Sequence, residues 1–342
     1  MDTNQLPLVT IFGGSGFLGT QIVQLFARMD YRIRVAVRRP DLAGQLRAVG
    51  TVGQVVPIQA NLRYPESVRH ATRGSDMVIN LVGIGHEGGR QSFAAVHVDG
   101  ARAVAEAAAI EGVKHLVHVS AIGADPDSAS AYGRSKGLGE AAVMAAFPSA
   151  VILRPSIIFG RGDDFFNLLG TLSRYFSVLP LIGGKTRFQP VFVGDVAEAA
   201  VLAAQGKVKS GRVYELGGPD VETHRQLFER VLDQANRRRP LIPVSPGIGK
   251  LMALPFSILP FTPLLTKDQV ILLGQDNVVS PQAEAEGRTF AAFNIVPTTM
   301  STILPTYLWR FRKHGQYDQH SRNQDHSDKV RSTQRTSQGT NI

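Results

Sequence analysis

The chain has 342 residues, of which 43% are hydrophobic and 19% charged, the composition of an ordinary globular protein long enough for one large α/β domain or a domain with a smaller lobe. Its formal net charge is +9, but no basic stripe interleaved with aromatics appears, which makes nucleic acid the weakest partner class. Cysteine is absent, which excludes disulfides, thiolate metal sites and cysteine nucleophiles and fits a reducing compartment.

The opening segment MDTNQLPLVTIF has no basic stretch followed by an apolar one, so no secretory signal is expected there. Six short β-branched runs then alternate with helical stretches. The strands read LVTIF (8–12), YRIRVAV (31–37), VVPIQA (55–60), DMVINLV (76–82), HLVHVS (115–120) and AVILRP (150–155). The helices between them are expected over 19–29, 65–74, 93–112 and 135–147. That order calls for a parallel sheet with helices on both faces, and for ligands outside the carboxyl ends of the strands.

Between the first strand and helix stands GGSGFLG, with Gly13, Gly16 and Gly19 three residues apart. The first glycine permits the tight turn, the second lets backbone approach a pyrophosphate, and the third allows close packing of helix on strand. The helix N-terminus adds free N–H groups and a favourable dipole. In this strand–turn–helix context the stretch reads as a dinucleotide site, with Ser15, Phe17 and Leu18 contributing from the same turn. The second strand ends in Arg38 and Arg39, where an acidic residue would bind a ribose 2′-hydroxyl. A guanidinium suits a 2′-phosphate instead, so NADP(H) is expected, NADPH favoured, with Arg38 the main contact and Arg39 stacking on adenine or solvated. After the fifth strand comes SASAYGRSKGLGEAA, in which Tyr132 and Lys136 are four apart and share a helix face. A lysine there would lower the phenol pKa and bind the nicotinamide ribose, leaving the tyrosine to move a substrate proton.

Beyond Pro155 the pattern loosens. A helix is expected over 165–176, a strand over 190–193, and a helix opened by a capping box in which Asp195 is the N-cap and Glu198 the third residue. RVYELGGP reads as a further strand and turn, and 222–238 as a helix. Residues 240–265 are apolar and broken by Pro255, Pro260 and Pro263, too punctuated to span a bilayer. They read either as a cap on the second lobe or as a surface that docks on a membrane or a partner. From Arg310 onward seven Lys/Arg face three Asp, a bias that suits an anionic membrane surface, an acidic partner or simply solvent. No metal-ligand cluster is seen. The expected architecture is α/β, a Rossmann-like doubly wound parallel sheet in residues 1–160 with 189–216 packing back onto it. A smaller C-terminal α/β lobe follows over 161–313, then a polar, disordered tail over 314–342.

These motifs together resemble the extended or atypical branch of the short-chain dehydrogenase/reductase superfamily: GGSGFLG, the change to arginine at 38, VINLVG (78–83), HVSAIGAD (118–125), YGRSK (132–136) and LRPSIIFGRGDDF (153–165). The resemblance covers about residues 7 to 310. Its later segments, RPSIIFGRGDDFFN, RFQPVFVGDVAEA and FTPLLTKDQVILL, are similar to the nucleotide-binding accessory subunits of mitochondrial respiratory complex I and their bacterial counterparts. The resemblance implies a tightly held NADPH with a structural role, complex I subunits as partners, and a place on the cytoplasmic face of the inner membrane. It also implies that Asn61, Leu62, Val82, Pro155 and Ile158 join the nucleotide site. Ser120 would complete a catalytic set with Tyr132 and Lys136, but Ala121 stands where the superfamily usually has Ser or Thr, so the set reads as a remnant. His97, where an Asn is usual, is either a phosphate contact or a satisfied structural histidine. The other reading is an active NADP-dependent oxidoreductase or epimerase on a small carbonyl or nucleotide sugar, with Arg154, Arg161, Lys185 and Arg187 available to a diphosphate. A third is a redox-sensing regulator.

Overall fold

Each of the six apolar runs forms a strand: β1 (Leu8–Phe12), β2 (Arg32–Val37), β3 (Val55–Gln59), β4 (Met77–Asn80), β5 (His115–Val119) and β6 (Val151–Pro155). The computed structural model describes residues 6–245, 247–249 and 265–315. The short strands β7 (Ile158–Phe159), β8 (Leu179–Ile182), β9 (Arg187–Phe188) and β10 (Val191–Phe192) lie outside the main sheet. A seventh strand of that sheet, β11 (Arg212–Leu216), adds to β6, and all seven run parallel in the order β11-β6-β5-β4-β1-β2-β3. The order reverses between β1 and β4, which opens a crevice at the carboxyl ends of those strands.

Two apolar layers close the sheet. On one face α1 (Phe17–Ala27) and α6 (Val193–Ala204) bury Ile22, Val23, Phe26, Val196 and Ala200 against Val9, Ile11, Val35 and Val117. On the other, α2 (Pro65–Thr72), α3 (Gly100–Ile110) and α4 (Ala131–Ala146) cover Phe12, Ala36, Val78 and Leu116. A third core joins α5 (Phe165–Tyr175), β8 (Leu179–Ile182), α7 (His224–Gln234) and residues 300–311 around Phe159, Phe166, Leu227 and Leu308. Phe290 and Phe293 fall within the range expected for the smaller lobe, yet they pack in the first core beside Tyr214 of β11.

Local expectations differ from the structure at four places. Helix α4 begins at Ala131, not Ser135, because Ser130 caps it through Gly133 N–H, so Tyr132 lies in its first turn. The helix expected from 93 starts as a π-helical turn over Ala94–Asp99 before α3. The capping box at Asp195 is not formed. Strand β10 (Val191–Phe192) runs straight into α6, Phe192 is the N-cap, and Asp195 sits inside the first turn. Its carboxylate instead accepts Thr298 N–H at 2.6 Å and Thr298 Oγ1 at 3.0 Å, a tie from 103 residues away. Finally, α7 starts at His224, since Glu222–Thr223 pair with Arg187–Phe188 as a two-residue ladder. Most of the proline-broken stretch, and the tail from 316, lie outside the described residues. Among the described residues no helix is long and apolar enough to cross a membrane.

Candidate functional site

The turn between β1 and α1 is built by its glycines. Gly13 has φ +79°, a left-handed conformation that glycine adopts without a steric penalty, and its N–H donates to Ala36 O at 3.1 Å. A Cβ on Gly19 would stand 2.5 Å from Gly13 O and 2.6 Å from Gly14 Cα, so helix and turn approach too closely for any side chain. Gly16 differs: it is exposed, extended at φ −77°, and a Cβ there would meet only Gly13 O at 3.3 Å. It is the N-cap of α1 and brings no side-chain cap, which leaves the first N–H groups of the helix facing the crevice. Ser15 beside it is exposed, Leu18 is buried, and Phe17 reaches the turn at Gly160–Gly162.

Around this turn the strand ends collect the other expected residues. Arg38 follows β2, is exposed, and makes no hydrogen bond or ion pair among the described residues. Arg39 is engaged, paired with Asp41 at 2.8 Å on the surface. Asn61 accepts Arg63 N–H at 3.2 Å, and Leu62 is buried beneath Gly100. Val82 flanks Gly13, its N–H held by Asn80 Oδ1 at 3.1 Å. Pro155 ends β6 and accepts Ile122 N–H at 3.0 Å, and Ile158 lies half-buried three residues on.

The Tyr132–Lys136 face of α4 borders the same crevice. Lys136 is 5% exposed and donates to Val119 O at 3.0 Å. Burial lowers its pKa to about 8, partly opposed by Glu140. The Tyr132 ring packs edge-on against Phe93 and His97, and burial pushes its phenol up to about 12. Ser120 Oγ is buried and has no hydrogen-bond partner among the described residues. His97 is fully committed: Nε2 accepts Ile84 N–H at 3.0 Å, so Nδ1 carries the proton and donates to Ser135 Oγ at 2.8 Å, which donates to Tyr132 O at 2.8 Å. Burial lowers its pKa to about 3, with Lys136 adding to the effect. A neutral ring with both nitrogens used is a structural histidine, not a phosphate contact.

The family model described as "NAD dependent epimerase/dehydratase family" matches residues 9–217. The chain belongs to this family.

This epimerase/dehydratase family member is 34% identical over 324 residues to "NADH dehydrogenase [ubiquinone] 1 alpha subcomplex subunit 9, mitochondrial" of Arabidopsis thaliana, covering 90% of this chain and 79% of the relative. A "Ceramide reductase" of Caulobacter vibrioides is 35% identical over 201 residues, 59% of this chain and 62% of the relative. Among solved structures, the "NADPH-dependent quinone oxidoreductase QOR2 complexed with NADPH" of Escherichia coli superposes with a TM-score of 0.68 at 19% identity, over 86% of this chain and 97% of that one. That last likeness shows the fold alone.

The chain therefore has an NAD(P)-binding fold, and three features of its crevice fit such a nucleotide. Gly16 leaves an open cradle at a helix N-terminus. Lys136 uses one of its three donors inside the protein. Ser120 Oγ is an orphan that a ligand hydroxyl or amide would satisfy. Among the described residues no cluster of His, Asp and Glu forms a metal site.

Two residues with a large effect on the site escaped the sequence reading. Asp268, in α8 (Lys267–Leu272), accepts Ser130 Oγ at 2.8 Å, Ala131 N–H at 2.7 Å and Tyr132 N–H at 3.1 Å, and so caps α4 from 136 residues away. Asn277 donates to Ile122 O at 3.2 Å and accepts Ser156 Oγ at 2.6 Å, tying the loops after β5 and β6 together. The Thr266–Gln269 capping box was a readable sign of α8, but no local pattern announces its partner.

Proposed function

We propose that the chain is an accessory subunit of a respiratory NADH:quinone oxidoreductase that holds NADPH as a fixed part and does not turn it over. The observation that carries this reading is that its likeness to the Arabidopsis subunit extends over 90% of the chain, well beyond the nucleotide-binding half. Gly13, Ser15, Gly16, Phe17, Leu18 and Gly19 would cradle the pyrophosphate. Arg38, with no partner among the described residues, would pair with a 2′-phosphate. Asn61 and Leu62 would border the adenine, and Val82, Pro155 and Ile158 the nicotinamide half, with Tyr132 and Lys136 on its ribose.

The state of the catalytic residues supports storage. A tyrosine that exchanges protons near neutrality needs a lowered pKa, whereas burial raises that of Tyr132 to about 12. Ala121 offers no hydroxyl beside Ser120. The partners are then complex I subunits, and the location is the cytoplasmic face of the inner membrane, where the basic C-terminal end would meet anionic lipid. The domain division proposed is 1–160 with 189–216, then 161–313, then the tail. The test is to tag the protein in its own host, extract membranes in mild detergent and identify what co-purifies. Complex I subunits at stoichiometric level, with NADPH released on denaturation, are expected. A protein that emerges alone overturns the reading.

The likeness to a ceramide reductase, together with the retained Tyr132 and Lys136, favours a second reading: an NADP-dependent reductase of a small carbonyl substrate. Under it Tyr132→Phe abolishes oxidation of bound NADPH by a carbonyl substrate while nucleotide content stays unchanged. Under the first reading there is no such turnover to abolish.

A further inference from the structure

Strand β2 carries an anomaly that nucleotide binding does not use. Its alternation places Ile33, Val35 and Val37 against α1 and α6, and Arg32, Arg34 and Ala36 on the opposite face. Register with its neighbours makes three cross-strand rows on that face: Leu8–Arg32, Thr10–Arg34–Val56 and Phe12–Ala36–Ile58. The third row is covered by helices, with Phe12 and Ala36 buried. Helix α2, eight residues long, ends at Thr72 over Thr10, which is fully buried and donates to Ala71 O at 3.2 Å, and it leaves Arg32, Arg34 and Val56, toward the sheet edge, only partly covered. A half-open cavity of about 370 Å³ results, lying toward the amino ends of β1, β2 and β3, whereas the glycine turn follows the carboxyl end of β1.

Arg32, Arg34 and Arg73 line it together with His70, and among the described residues no acidic one does. Arg34 has a structural duty, donating to Ala71 O at 2.6 Å and Arg73 O at 2.9 Å at the end of α2. Arg32 gives only Nε, to Leu6 O at 3.0 Å, and Arg73 makes no side-chain bond among the described residues. The nearby carboxylate of Asp76 is already taken by Leu8 N–H and Lys114, each at 2.9 Å. Burial and the neighbouring charge of Arg32 both act against the charged form of Arg34, a repulsion that a bound anion would relieve. Leu8, Val56 and Ile58 supply an apolar wall beside these cations.

We propose that this cavity is a second ligand site, taking a phosphate monoester that carries an apolar group. The planar forks of Arg32 and Arg73 match phosphate oxygens, and the dianion answers several fixed positive charges where a monocarboxylate would answer fewer. The apolar wall then selects an ester over inorganic phosphate.

Calorimetric titration of the nucleotide-loaded protein tests it with hexyl phosphate, inorganic phosphate and hexanol, on the wild type and on the double variant Arg32→Gln/Arg73→Gln. Arg34 is left intact because it caps α2. Retained nucleotide in the variant verifies that it is folded. Saturable binding of hexyl phosphate is expected, at least tenfold tighter than inorganic phosphate or hexanol, and weakened at least tenfold in the variant. Binding instead only to vesicles containing phosphatidic acid, lost in the same variant, assigns the same phosphate chemistry to a lipid headgroup. Hexyl phosphate and vesicle binding that are both absent, or both unchanged by the two substitutions, overturns the proposal.

Discussion

Asp268 accepts the backbone N–H of Tyr132 at 3.1 Å, and the same carboxylate takes Ala131 N–H and Ser130 Oγ. The first turn of the helix that presents Tyr132 and Lys136 is thus capped by a residue from the C-terminal part of the chain. A negative charge at a helix N-terminus is also favoured by the helix dipole. Asp268→Ala should destabilise the protein by about 1–2 kcal/mol, the usual worth of a lost cap, and Asp268→Asn by less. Thermal unfolding of the nucleotide-free protein measures both, and an unchanged midpoint for the alanine variant contradicts the assignment.

Gly16 and Gly19 should fail in different ways. Gly19→Ala drives a Cβ into Gly13 O and Gly14 backbone at 2.5–2.6 Å, which overpacks the turn and should cost about 1–3 kcal/mol of stability. Gly16→Ala meets only one atom, at 3.3 Å, and should fold normally while losing nucleotide. Denaturation curves and nucleotide content after purification separate the two effects.

Arg38 carries the proposed preference for a 2′-phosphate. A charge-assisted hydrogen bond is worth about 1.5–3 kcal/mol, so Arg38→Ala should weaken NADPH binding by roughly ten- to a hundredfold and leave NADH binding nearly unchanged. Equal calorimetric affinities of the wild type for the two nucleotides contradict this preference.

Two buried histidines make the fold acid-sensitive. His97 and His118 both have their pKa lowered to about 3, by burial first and by Lys136 next. The unfolded chain binds these protons near pH 6.5. Between pH 6.5 and 3 the unfolded state therefore holds more protons, and stability falls as pH drops through that window. Each histidine contributes a slope of about 1.4 kcal/mol per pH unit. Urea unfolding at intervals across the window should show the slope, and His97→Gln should remove one histidine's share.

Nucleotide and fold should be linked. A ligand present at about 100 times its Kd adds about 2.7 kcal/mol to the stability of the native state. Protein stripped of nucleotide should melt lower and recover its midpoint on titration with NADPH. The absence of any shift would speak against a bound structural nucleotide.

The alternation of β-branched runs and helical stretches was enough to determine the parallel sheet, since each run lies in one strand and its burial depends on side-chain type and spacing. The glycine turn was equally legible, because the constraint on Gly13 is a backbone angle and that on Gly19 is set by a neighbour six residues away. Asp195 was misread for the opposite reason. Its spacing to Glu198 satisfies a local rule, yet the helix starts three residues earlier, capped at Phe192, and Thr298 takes the carboxylate. The state of His97 likewise depended on Ile84 and Ser135, on two other elements. Asp268 and the half-buried arginines of β2 are further cases: the first acts across 136 residues, and the second depend on where α2 ends over the sheet and on which neighbours take their donors. Local pattern determined which elements form and where the glycine turn between β1 and α1 lies. Only the tertiary structure decided which polar groups are already satisfied and which remain open to a ligand, because a hydrogen bond is settled by whatever the fold brings within about 3 Å.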